Sequence, residues 1–157
     1  MANDDFARGF VPLNSIIPGV NAHYYRADTA ADIFIGEPVI LNASGLVGVA
    51  TITAAVAQAM GVALGFLGPN KAGLATDDPY LDASDLTTLA AGLETGDRYV
   101  LVADDPSQQF IIQEDTGGTA LALADVGAAI DLIYRTAADS GNTVSGISRL
   151  EIDASSV

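Results

Sequence analysis

Residues 98–115 read Arg-Tyr-Val-Leu-Val-Ala-Asp-Asp-Pro-Ser-Gln-Gln-Phe-Ile-Ile-Gln-Glu-Asp. Tyr99–Ala103 and Gln109–Gln113 are short apolar runs of the residue types that suit a pleated, half-buried surface. Between them, Pro106 locks its own φ and drives Asp105 out of the α region, so the chain must turn. A proline cannot donate to a ladder, so Pro106 cannot lie inside a central strand. The stretch therefore predicts two β-strands about a hairpin-like corner.

The same grammar recurs on both sides of it. His23–Ala27 is aromatic and β-favouring, and Ile33–Ile35 leads into a Gly36-Glu37-Pro38 turn. Val39–Leu41 and Leu46–Ile52 flank Asn42-Ala43-Ser44-Gly45, which predicts a hairpin over 39–52. Asn42-Ala43-Ser44 also fits the glycosylation sequon, but without a secretory signal it reads as a turn. Gly61–Leu67 predicts a strand whose glycines permit close backbone approach or a bulge. Ile130–Tyr134 is another strand, preceded by a tight corner at Asp125–Gly127. Thr143–Asp153 alternates, with Val144, Ile147, Leu150 and Ile152 as its apolar members and a bulge or break at Gly146–Arg149. Two segments read as helical. Thr53–Met60 is alanine-rich, and Leu86, Leu89 and Leu93 recur at helical spacing after Asp82 or Ser84. Short strands punctuated by glycine and proline predict an all-β fold, a β-barrel or β-sandwich with one short helix.

Residues 1–21 differ from the rest. Gly9, Pro12, Pro18 and Gly19 prevent a regular helix, while Phe6, Phe10, Ile16 and Ile17 supply apolar anchors that a solvated tail does not need. The expectation is an extended N-terminal arm over 1–21, packed on a neighbouring subunit, followed by a β-rich domain over 22–157.

The chain has 157 residues, of which 50% are hydrophobic, and 20 acidic residues outnumber 6 basic ones for a net charge of -14. A chain of this length buries roughly 70% of its unfolded surface, enough for a core without staples. The acidic excess disfavours phosphate backbones and anionic membranes, and the cations are too dispersed for nucleic-acid binding. No disulfide or thiolate metal site is possible, because there is no cysteine. The single histidine, His23, leaves the usual zinc, copper and haem sites without ligands. The N-terminus opens on acids rather than on a basic and apolar signal sequence.

Three acidic pairs, Asp77-Asp78, Asp104-Asp105 and Glu114-Asp115, could bind calcium or share a proton. Neighbours on a strand point to opposite faces, however, so these pairs read as turn and surface residues. There is no Gly-x-Ser-x-Gly elbow and no phosphate loop, and His23 beside two tyrosines reads as a strand or interface residue. The expectation is no catalytic site, no metal and no cofactor.

Four segments in order carry a family resemblance. They are Ile35–Asn42, Met60–Phe66, residues 98–115 with Val-Ala-Asp-Asp-Pro, and Thr143–Ser148 with Leu150–Asp153. Together they resemble the capsid cement (head decoration) proteins of tailed bacteriophages, over around half the chain. The resemblance implies a β-rich structural module on the outside of an icosahedral capsid, fastening neighbouring major capsid proteins. It implies a homotrimer, made in the host cytoplasm and placed on the virion surface. It also leads one to expect a further apolar strand after Ser155-Ser156. The interface residues expected on this reading are Phe6, Phe10, Ile16, Ile17, Tyr24, Tyr25, Arg26 and Arg98, the last beside the Asp104-Asp105 corner. The alternative from another class is a β-rich virion adhesin or carbohydrate-binding module. The absence of tryptophan weighs against its aromatic shelf.

Overall fold

The computed structural model describes residues 7–13, 21–28, 32–52, 59–67, 79–82, 98–115, 120–135 and 140–155. The fold is all-β. Its centre is a five-stranded antiparallel sheet of β2 (His23–Arg26), β3 (Pro38–Leu41), β4 (Val47–Val49), β5 (Gly61–Leu67) and β6 (Tyr99–Ala103), in the order β2-β6-β5-β3-β4. The two outer strands then meet. Ala27, just past β2, forms a parallel bridge with Val47, and the Asp28 N–H donates to the Val47 carbonyl at 2.7 Å. Five strands that alternate in direction cannot close into a ring without one parallel contact, and this bridge supplies it. The sheet is thereby a small barrel closed within one chain.

Cross-strand partners share a face, so register identifies what fills the barrel. Tyr25 faces Val100, Ala63 faces Val102, and Val39 faces Val49. Val39, Val47, Ala63, Val100 and Val102 are wholly buried, with Ile33 and Leu81 beside them. Ala63 and Phe66 both belong to this packing although three positions separate them. A register shift between Ala63 and Gly65 makes that possible, since the extra residue Leu64 resets the alternation. The bulge expected from the glycines of this strand is therefore present.

The corner at 104–107 departs from expectation. Its flanking strands do not pair with each other. β6 lies between β2 and β5, whereas β7 (Phe110–Ile111) leaves the barrel and pairs with β1 (Val11–Pro12). The turn is held locally, with the Gln108 N–H donating to the Asp105 carbonyl at 2.9 Å and the Ser107 N–H to Asp105 Oδ1 at 2.8 Å. The hairpin expected over 39–52 is present as β3 and β4, with Asn42 Oδ1 accepting from the Ser44 and Leu46 N–H groups.

A second layer lies outside the barrel. β8 (Asp131–Tyr134) pairs with β11 (Leu150–Asp153), and β9 (Gly141–Asn142) with β10 (Ile147–Ser148). The break expected within the last strand falls at Arg149. Val144, expected to alternate inward, is instead 88% exposed. Asn142 Oδ1 accepts from the Val144 and Ser145 N–H groups and folds 143–146 into a turn. Ile35 bridges Ile147, and Phe34 stacks on Tyr80 at 4.6 Å between ring centroids, which tie this layer to the core. The only helix among the described residues is a single 3₁₀ turn at Leu123–Asp125. The helical segments expected at 53–60 and after 82 lie mostly or wholly outside the described residues.

Residues 7–13 pack on their own chain. The Phe10 N–H donates to the Gly36 carbonyl at 2.9 Å, and the Phe10 ring meets Phe110 edge-on at 5.8 Å. The buried Gln108 side-chain amide donates to the carbonyls of Leu13 and Gln109. Gly9 and Gly36, with φ of 63° and 89°, press together so closely that a Cβ on either would strike the other's segment. This part of the expected arm thus has an intrachain partner, while Phe6, Ile16 and Ile17 lie outside the described residues.

Candidate functional site

β2 begins where β6 ends, and this antiparallel register gathers polar side chains at one mouth of the barrel. His23 pairs with Val102 and Tyr25 with Val100, so both lie on the face of the residue two beyond Val102, Asp104. The Tyr25 hydroxyl donates to Asp104 Oδ2, and His23 Nδ1 lies 2.9 Å from Asp104 Oδ1. One position on, Asp105 Oδ2 accepts from the Asn21 amide at 2.8 Å. Partial burial alone would raise the Asp104 carboxyl, but the bonds from Tyr25 and His23 outweigh it and hold the group below its ordinary value. In return, the hydrogen bond to Asp104 raises the Tyr25 phenol. Adjacent to this cluster runs a groove of about 400 Å³, lined by Phe10, Met60, Asp104, Pro106, Phe110 and Leu132 among others.

A histidine oriented by a carboxylate is half of a proton relay, and a relay needs a nucleophile or acid on the other ring nitrogen. Among the described residues no hydroxyl hydrogen-bonds that nitrogen, and the second Asp104 oxygen is taken by Tyr25. Nor do the described residues bring three metal-ligating side chains together. What the arrangement does is fasten the start of β2 to the end of β6. The described acidic pairs act similarly at their turns: Glu114 accepts from the Leu121 N–H at 3.0 Å and Asp115 from the Ala154 N–H at 3.1 Å. Asp77-Asp78 lies outside the described residues.

A second ionisable group escaped sequence reasoning. Glu37, expected in a turn, is wholly buried. Its Oε2 accepts from the Phe34 N–H at 2.9 Å and its Oε1 from the Tyr134 hydroxyl at 3.3 Å. Burial pushes its carboxyl up to about 7, the Phe34 and Tyr134 hydrogen bonds pull against that, and nearby Asp32 adds to the rise. A glutamate between Gly36 and Pro38 looks like a solvated corner, and nothing in the local pattern signals that Tyr134 will cover it.

The expected interface residues are dispersed. Tyr24 and Arg26 are exposed on the outer face of β2, whereas Tyr25 turns inward to Asp104. Arg98 corrects the expectation. It lies just before β6, at the other end of that strand from Asp104, and is 5% exposed; its carbonyl accepts from the Ala27 N–H at 2.8 Å where the barrel closes. Exposed apolar side chains besides Tyr24 occur at several places, among them Leu41, Leu123, Val126 and Val144, and one group of them is paired across a ladder. Val11 and Ile111, direct cross-strand partners, are 41% and 54% exposed, and Leu13 continues the strip. Comparison with family models, curated proteins and solved structures gives no match for this chain.

Proposed function

We propose that this protein is a structural component of a tailed-phage virion. It would bind the outer face of the icosahedral capsid and fasten neighbouring major capsid proteins. One observation carries most of the reading: the β1–β7 ribbon turns its aromatic pair, Phe10 and Phe110, together, and leaves Val11, Leu13 and Ile111 as an apolar strip facing solvent. A paired apolar strip on an otherwise strongly acidic chain suits a protein contact rather than a soluble tip. Supporting it are the four ordered segments that resemble capsid cement proteins and a charge that repels packaged nucleic acid. The proposed assembly is a homotrimer, whose closed symmetry repeats the strip three times and so multiplies weak contacts by avidity. Arg26, exposed on β2, remains a candidate bridging residue, and Arg98 does not.

The test mixes the purified protein with expanded capsids and follows co-sedimentation. The wild type should pellet with capsids, and a Val11→Glu, Ile111→Glu double variant, altered only at exposed positions, should stay in the supernatant while remaining folded. Equal pelleting of the two would remove the strip from the proposal, and no pelleting of the wild type would sink the capsid reading.

A further inference from the structure

The corner at 104–107 and the β1–β7 ribbon line one groove of about 400 Å³. The corner contributes two adjacent carboxylates, Asp104 and Asp105, and the ribbon contributes the Phe10 and Phe110 rings, with Met60 also in the lining. Both carboxyls are held below their ordinary value, so the groove carries two negative charges at neutral pH. Asp105 accepts from Asn21 and Ser107, and Asp104 from the Tyr25 hydroxyl and His23. No arginine is among these partners, and none of the five arginines lines the groove. Gln108 adds a second, separate observation. Its side chain lines the same groove and is only 8% exposed. Its Nε2 donates to the Leu13 and Gln109 carbonyls, which settles the orientation of the amide and leaves Oε1 as a buried acceptor without a hydrogen bond. Buried acceptors are nearly always bonded, so an orphan beside two carboxylates marks a place for a donor.

We propose that this groove receives an arginine side chain of a partner protein. A guanidinium carries five N–H donors in a planar fork, enough for the remaining lone pairs of both carboxylates with a donor to spare for Gln108 Oε1. It is more weakly hydrated than an ammonium and stacks on aromatic faces, which suits a groove that holds Phe10 and Phe110. A metal ion would gain nothing from those rings. The groove also decides the source of the guanidinium. Free arginine brings a carboxylate, for which no arginine of this chain stands ready in the lining, and which a chain of net charge -14 repels. An arginine within a polypeptide brings the cation alone. A second copy of so acidic a chain is disfavoured for the same reason. The inference is independent of the capsid reading, because any partner that presents such an arginine satisfies it.

The probe is a peptide blocked at both ends, acetyl-Gly-Ala-Arg-Ala-Gly-amide, titrated into the full chain and followed by calorimetry and by amide chemical shifts. Saturable binding with Kd of about 1 mM or below is expected, with the largest shifts at Asp104, Asp105, Gln108 and Phe110. Replacing the arginine by citrulline keeps the shape and removes the charge, and should weaken binding at least about tenfold. Free arginine should likewise bind roughly tenfold more weakly than the blocked peptide. Asp105→Asn keeps the size of a partly exposed side chain, and should lower affinity about tenfold while the melting temperature stays close to that of the wild type. Absence of saturable binding, or shifts confined to other surfaces, would overturn the proposal. Equal affinity of the citrulline peptide would remove the guanidinium from it, and equal affinity of free arginine would replace the protein partner by a small molecule. The same shifts on adding calcium chloride alone would make the groove a metal site and overturn it as well.

Discussion

The Tyr134 hydroxyl donates to Glu37 Oε1 at 3.3 Å, across 97 positions of sequence, and joins the outer β8–β11 ribbon to the barrel. Glu37 sits on the turn into β3, with the Phe34 N–H on its other oxygen. Burial favours the acid form of this carboxyl and outweighs the two neutral donors, which favour the anion.

That preference gives a stability profile with a definite sign. Glu37 titrates near 4.5 when exposed and at about 7 when folded, so the folded chain binds the proton more tightly. Its contribution is complete below pH 4.5 and is lost as pH rises through 7, a change of roughly 3 kcal/mol. Denaturant unfolding should give a lower midpoint at pH 8 than at pH 5, and Glu37→Gln should flatten that difference. Asp104, with its lowered carboxyl, acts in the opposite sense at more acidic pH, so the two windows separate.

Tyr134→Phe removes a hydroxyl and keeps the ring. It should cost about 1–2 kcal/mol at pH 5, measured as a shift in urea midpoint. The loss identifies the hydrogen bond rather than the packing as the tie between ribbon and barrel. A midpoint within error of the wild type would show that the ribbon is held by apolar contact alone.

Asp104→Asn keeps the size of the side chain but weakens its bonds to both Tyr25 and His23. Because the site is partly open to water, the expected cost is modest, about 1 kcal/mol. Thermal melts at pH 7 should resolve it, and Tyr25→Phe combined with it should be less than additive, since the two changes remove one shared interaction. Full additivity would mean that the bond contributes nothing to the fold.

Gly141→Ala tests the second layer. A Cβ at this position would enter the Phe34 ring, which stacks on Tyr80. The ring must move, so a loss of more than about 2 kcal/mol is expected, together with a changed near-ultraviolet aromatic signal. A variant that keeps both stability and signal would show that this stack adjusts freely.

Adding a chelator should leave the melting temperature unchanged, since Asp105, Glu114 and Asp115 accept from backbone N–H groups at their turns and the described residues bring no three metal-ligating side chains together. A fall of several degrees would point to a bound cation that stabilises the native state.

Local chemistry was enough to place the corners and most strands. Pro106 broke the chain between β6 and β7, Asn42 made the β3–β4 turn, and apolar runs marked Tyr99–Ala103 and Gly61–Leu67 with the bounds observed. These signals act within a few residues, through a fixed φ, a short side-chain hydrogen bond or a face of period two. Only the folded chain decided which strands are neighbours. Period-two alternation says that a residue faces inward, and it is the same for every strand, so it names no partner. Hence the two strands about Pro106 read as a hairpin but belong to different sheets, and Arg98 and Asp104 read as neighbours but lie at opposite ends of β6. The closure at Ala27 and Val47, the meeting of Tyr25 with Asp104, and the burial of Glu37 beneath Tyr134 all join segments distant in sequence. Each depends on the burial of a shared core, which no single segment of the chain encodes.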